Sequence, residues 1–91
     1  MKYEWDEAKR QKNIKKHGID FQSAQDFLWE TAIIDADDRE EYREQRYVAF
    51  GYMKEKLFVM AFTNRDDVVR LISLRPAEPK EIRRYEKEFD W

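Results

Sequence analysis

Two arginines on one apolar stretch, in Arg70-Leu71-Ile72-Ser73-Leu74-Arg75, and a lone histidine behind a run of cations, in Lys15-Lys16-His17-Gly18, are the residues of this chain that invite chemistry. A guanidinium flanked by Val69, Leu71, Ile72 and Leu74 must escape at a sheet edge, pair with a carboxylate or hold an anionic ligand. The two blocks together read as an anion site. Five residues apart in a regular strand means opposite faces, so Arg70 and Arg75 serve one site only if a bulge intervenes or Arg75 lies past the strand end. The structural alternative is that one of them, Arg75 or Arg70, pairs with Glu44 or with an acid of the last helix.

His17 is the side chain whose ordinary pKa suits proton transfer near neutrality, and it is the first candidate for a general acid or base. The structural alternative is that a histidine in a last helical turn simply favours the helix C-terminus. Glu4, on the opposite side of a short strand from Trp5, is left to act as a base or to pair with an arginine, whereas Asp6 is explained by helix capping. Lys9 and Lys16 bind phosphates or are solvated helix surface. Tyr47, Tyr52 and Tyr85 have the spacing of core residues with a wet hydroxyl. The run Asp35-Ala36-Asp37-Asp38 lacks the ligand and glycine spacing of a calcium loop, and there is no cysteine. It reads as a surface turn, and no metal or cofactor is expected.

These side chains must be positioned by a small scaffold. A chain of 91 residues is read as one domain, residues 1–91. Its 42% hydrophobic and 15% aromatic content suffices for a core beside an equally large charged fraction. A net charge of −2 argues against indiscriminate binding to phosphate backbones, yet Lys9, Arg10, Lys12, Lys15 and Lys16 make the first helix basic. The longest apolar run, Leu57 to Phe62, is too short to span a bilayer, and a soluble cytoplasmic protein is expected.

Asp6 predicts the start of a helix ending at His17, with Gly18 in the left-handed position that follows and Ile19 folded back behind it. Asp20 then caps a second predicted helix, whose Phe21, Ala24, Phe27 and Leu28 form an apolar face. Thr31 to Ile34 is a predicted edge strand and the acidic segment Asp35 to Glu44 an exposed loop. Arg46 to Tyr52, Leu57 to Thr63 and Val68 to Arg75 are strands joined by connections short enough to demand hairpins. Pro79 opens a last helix with Ile82, Tyr85 and Phe89 as its buried stripe. The expected class is α+β: two N-terminal helices, a four-stranded antiparallel sheet and a C-terminal helix.

The blocks Glu4-Trp5-Asp6, Lys9, Asn13, Lys16-His17-Gly18 and Phe21, then Glu44, Arg46 and Gly51, then Thr63, Arg65, Arg70, Ile72-Ser73, Arg75, Ala77, Glu81 and Tyr85 resemble the BrnT family of bacterial toxins. The resemblance covers most of the chain. It implies a RelE-like fold and the ribonuclease half of a type II toxin–antitoxin pair. The implied partner is an antitoxin resembling BrnA, whose ribbon-helix-helix domain binds the operon's own promoter, so that operator DNA is reached only through the antitoxin.

With RNA as substrate, metal-free cleavage needs a base for the 2′-hydroxyl proton, cations for the charge gathering on the phosphorane and an acid for the departing 5′-oxygen. Arg70, with Arg46, is assigned to the charge and His17 or Glu4 to protons, while Lys9, Lys16, Arg65 and Arg75 are assigned to substrate binding. A 2′,3′-cyclic phosphate is the expected product. The alternative from another class is a non-catalytic module that binds a protein or RNA through a strand edge or the last helix. Direct DNA binding is disfavoured because no helix-turn-helix pattern follows the short basic helix.

Overall fold

The structure is a computed structural model, described here for residues 1–39 and 43–89. A five-stranded sheet runs in the order β1-β5-β4-β3-β2, built from β1 (Lys2–Trp5), β2 (Ile33–Asp37), β3 (Arg46–Met53), β4 (Lys56–Arg65) and β5 (Val68–Pro76). Two α-helices accompany it, α1 (Glu7–His17) and α2 (Pro79–Glu88), together with 3₁₀ turns over Phe21–Asp26 and Trp29–Thr31.

The four-stranded antiparallel sheet with two N-terminal helices is therefore corrected on two counts. The fifth strand is β1, which pairs with β5 in parallel, Glu4 opposite Arg70 and Trp5 opposite Leu71, making the sheet mixed. Its alternation is readable, but a partner more than sixty residues away is not. The second N-terminal helix is a 3₁₀ segment. Side chains three apart eclipse in a 3₁₀ helix, so Phe21, Ala24 and Phe27 all enter the core, an alignment that an α-helix would lose by the second step. Leu28, which completed the α-helical pattern, is 45% exposed.

Two smaller boundaries also move. Thr31 ends a 3₁₀ turn and β2 starts at Ile33, at the sheet edge as expected. Asp35, Ala36 and Asp37 extend that strand against Val48, Tyr47 and Arg46 instead of turning, while Glu40 and Glu41 of the acidic segment lie outside the described residues.

Local chemistry explains the rest. Asp6 accepts from the Ala8 and Lys9 amides at the start of α1, and Gly18 closes the helix at φ 72° with its N–H on the Ile14 carbonyl. Arg10 forks onto both carboxylate oxygens of Asp20 at 2.9 and 2.8 Å, tying α1 to the 3₁₀ segment that Asp20 caps through Gln22 N–H. That hydrogen bonding lowers the Asp20 carboxyl to about 2. The hairpins turn through Lys54-Glu55 and Asp66-Asp67, all four residues at positive φ as the right-handed strand twist demands. Glu78 and Glu81 form a reciprocal capping box around Pro79 at the start of α2.

One sheet face carries the core. Phe21, Phe27, Met60, Phe62, Leu71 and Leu74 meet there, Trp5 packs edge-on against Phe21, and Gly51 is needed because a Cβ would lie 2.7 Å from the Phe27 ring. On the other face α2 covers one end. Tyr85 packs on Tyr52 and donates its hydroxyl to the Thr31 carbonyl, and Arg84 lies over the Phe50 ring. The opposite end of that face is left open.

Because β1 ends at Trp5, the outer edge of β5 beyond Leu71 needs another partner for its peptide groups. Asn13 of α1 supplies it: Leu74 N–H donates to Asn13 Oδ1 at 3.0 Å, and Asn13 Nδ2 donates to the Leu74 and Ile19 carbonyls at 2.8 and 2.9 Å. The amide replaces a strand. Asn13→Ala is expected to lower stability by about 2–4 kcal/mol, since it strands a buried N–H and carbonyls together. Urea unfolding of the variant measures the loss.

Candidate anion-binding site

The open end of the second face is a cleft of about 370 Å³. Arg46 from the start of β3 and Arg70 from β5 both stand opposite Thr63 of β4, so two guanidinium-bearing strands flank one threonine. Arg65 from the end of β4, Arg43 and Glu44 from the segment before β3, and Lys9 from α1 complete the charged wall. Among the described lining residues, Lys9, Arg43, Arg46, Arg65 and Arg70 thus face one carboxylate, Glu44. The local field is positive although the chain is acidic.

A bulge sets which residues reach this face. Ala61 pairs with Ser73 and the next residue, Phe62, with Leu71, leaving Ile72 as an extra residue in β5. Arg70, Ser73 and Arg75 therefore stand opposite Thr63, Ala61 and Val59 on the second face, while Leu71 and Leu74 stand opposite Phe62 and Met60 in the core. The condition for the two arginines to share a face is met. They still do not share a site: their partners Thr63 and Val59 are four residues apart, roughly 13 Å along the strand. Arg75 instead forks onto Glu81 of α2 at 2.8 and 2.9 Å, which raises its pKa and lowers that of Glu81.

The acids distribute themselves around the other arginines. Glu44 accepts both Nε and Nη2 of Arg65, and this hydrogen bonding, helped by the charges of Arg65, Arg70 and Arg46, holds its carboxyl below the usual range. Glu4 Oε1 lies 3.6 Å from Arg70 Nη1, longer than a hydrogen bond, so Arg70 keeps donors for a ligand. Asp37 stands opposite Arg46 across the β2–β3 pair and is forked by Arg39.

His17 and Lys16 line a neighbouring hollow of about 320 Å³ with Lys12 and Ser73. Lys9 and the bulged Ile72 line both hollows and form the ridge between them. Partial burial, then the charges of Lys16 and Arg75, push the His17 pKa down, favouring the neutral imidazole. Of the residues assigned from sequence, the structure gathers Arg70, Arg46, Arg65, Lys9 and Glu4 at the first hollow. His17 and Lys16 go to the second, and Arg75 to the joint with α2.

Two polar lining residues, Arg43 and Thr63, carry no signal of a role in the sequence. Arg43 sits in an acidic segment with no periodic signal, and Thr63 reads as an ordinary strand residue. Thr63 is buried at 3% exposure and its hydroxyl has no hydrogen-bond partner among the described residues. Leaving such a group unpaired costs about 1–3 kcal/mol.

The family model described as the ribonuclease toxin BrnT of type II toxin–antitoxin systems matches residues 5–81. The chain belongs to the BrnT family. A crystal structure of the Brucella abortus ribonuclease toxin BrnT is 32% identical, covers 86% of this chain and 97% of its own, and superposes with a TM-score of 0.66. No curated protein matches the sequence. The BrnT match spans every residue of the cleft except Glu4, from Lys9 to Ile72.

The lowered His17 pKa has a measurable sign. Its imidazole should titrate by NMR below the ordinary histidine value, and Lys16→Ala should move the midpoint upward by removing a like charge. Because the folded state resists protonation, the His17 contribution to stability is present above the unfolded pKa and is lost as pH falls through the folded one.

Proposed function

We propose that this BrnT-family chain is a metal-independent endoribonuclease that inhibits translation and growth in the cytoplasm. The observation that carries the reading is the pairing of Arg46 and Arg70 across Thr63 on an uncovered sheet face, with Glu4 beside Arg70. Two guanidiniums approaching from neighbouring strands match the oxygens of one phosphodiester and cannot lose their protons. They would stabilise the charge gathering on the phosphorane as the 2′-oxygen attacks, usually the largest catalytic contribution.

Glu4, whose Oε1 lies 3.6 Å from Arg70 Nη1, is the first proton acceptor in this reading. His17, favoured in its neutral form one hollow away, is the second acceptor, reached if the strand crosses the Lys9–Ile72 ridge. Lys9 and Lys16 would follow the backbone on either side. Arg75 is reassigned to holding Glu81 and the start of α2. The departing 5′-oxygen takes its proton from solvent, which enters the uncovered cleft, and the product of this scheme is a 2′,3′-cyclic phosphate.

Membership of a toxin–antitoxin family supports a neutralising partner, proposed to be a BrnA-like antitoxin with a ribbon-helix-helix domain that alone contacts operator DNA. The outer edge of β2, with Ile34 half exposed, suits docking of such a partner. A non-catalytic binding module is the competing outcome.

Arg70→Ala should reduce RNA cleavage by about 10²–10³-fold and abolish growth arrest, and Arg70→Lys should recover only part because it loses the fork. Cleavage by the wild type should persist in EDTA and leave cyclic termini. Glu4→Ala and His17→Ala, compared by end analysis and rate, identify the proton acceptor. Wild-type protein that neither arrests growth nor cuts RNA would leave the binding module standing.

A further inference from the structure

Thr63 presents a hydroxyl that the fold does not use. It is 3% exposed, lines the floor of the cleft and stands in register between Arg46 and Arg70, yet no hydrogen bond reaches its Oγ1 among the described residues. A valine would fill the same β-branched space without an orphaned polar atom, so packing gives no reason for the oxygen. Its surroundings do: a buried donor beneath flanking guanidiniums is complementary to an anion.

We propose that Thr63 Oγ1 is a substrate-binding group that donates a hydrogen bond to a non-bridging oxygen of the phosphodiester held by Arg46 and Arg70. The assignment rests on the nuclease reading above and deepens it by naming a third ligand of the scissile phosphate. Donors from two flanks and from below can be met by the two non-bridging oxygens of a phosphodiester. Because the hydroxyl is fixed by a β-branched side chain on a central strand, it needs no reorganisation when charge on that oxygen grows. Thr63 keeps its proton throughout and positions the phosphate for the 2′-oxygen.

The test compares the wild type with Thr63→Val and Thr63→Ser in thermal melting, in binding of a 2′-deoxy dinucleotide that cannot be cleaved, and in single-turnover RNA cleavage. Thr63→Val should melt at or above the wild-type temperature, because an unpaired buried oxygen is gone, and should bind the dinucleotide about tenfold or more weakly. Thr63→Ser should bind and cleave close to wild type. The proposal is overturned if Thr63→Val binds and cleaves like the wild type, or if it melts well below it, which would make the hydroxyl structural. If the wild type itself neither binds the dinucleotide nor cuts RNA, the nuclease reading fails and takes this assignment with it. Unchanged cleavage by Thr63→Val with an active wild type removes only the Thr63 role.

Discussion

The single extra residue at Ile72 is the constraint on which the arrangement depends. β5 must give Leu71 and Leu74 to the core and also present cations to the other face, and strict alternation cannot do both across that span. The bulge shifts the alternation by one, so that Arg70 and Ser73 emerge on the same side. It also leaves Ile72 standing between two hollows as their common wall. A bulge disrupts strand pairing locally, and here the Asn13 amide secures the β5 backbone two residues later from the α1 side.

That clamp links stability to function. The same helix whose Asn13 completes the sheet edge carries Lys9, Lys12, Lys16 and His17 along the hollows, so the basic wall is placed by a buried hydrogen bond rather than by its own charges. Gly18 and the Arg10–Asp20 fork then return the chain to the opposite face, where Phe21, Ala24 and Phe27 build the core. Lysines that repel one another are tolerated because they stand on a helix fixed by other means.

Acids and bases divide the second face. Where α2 covers it, carboxylates neutralise arginines, Arg75 in a fork with Glu81 and Arg84 through one contact with Asp35. At the uncovered end the described residues carry more cations than acids, with Glu44 paired to Arg65 and Glu4 standing 3.6 Å from Arg70. An unfilled Thr63 hydroxyl belongs at the uncovered end by the same logic. The acidic net charge of the chain is thus compatible with an anion site, because field at the cleft depends on neighbours within a few ångströms.

The sequence by itself determined the parts whose cause is local: the Asp6 cap and Gly18 ending of α1, the capped α2 and the β3–β4–β5 hairpins. It also contained, as a family pattern, nearly every residue of the cleft. Tertiary structure decided what depends on distant partners. Only the parallel pairing with β5 made four N-terminal residues a strand and set Glu4 beside Arg70. Only the packing of three stacked core side chains chose a 3₁₀ segment over an α-helix. Spacing could state that a bulge was required for Arg70 and Arg75 to share a face, but the bulge, and the Glu81 carboxylate that holds Arg75 away from the cleft, arise from contacts between elements. Local rules fix conformation; which charges meet is settled when the strands pair.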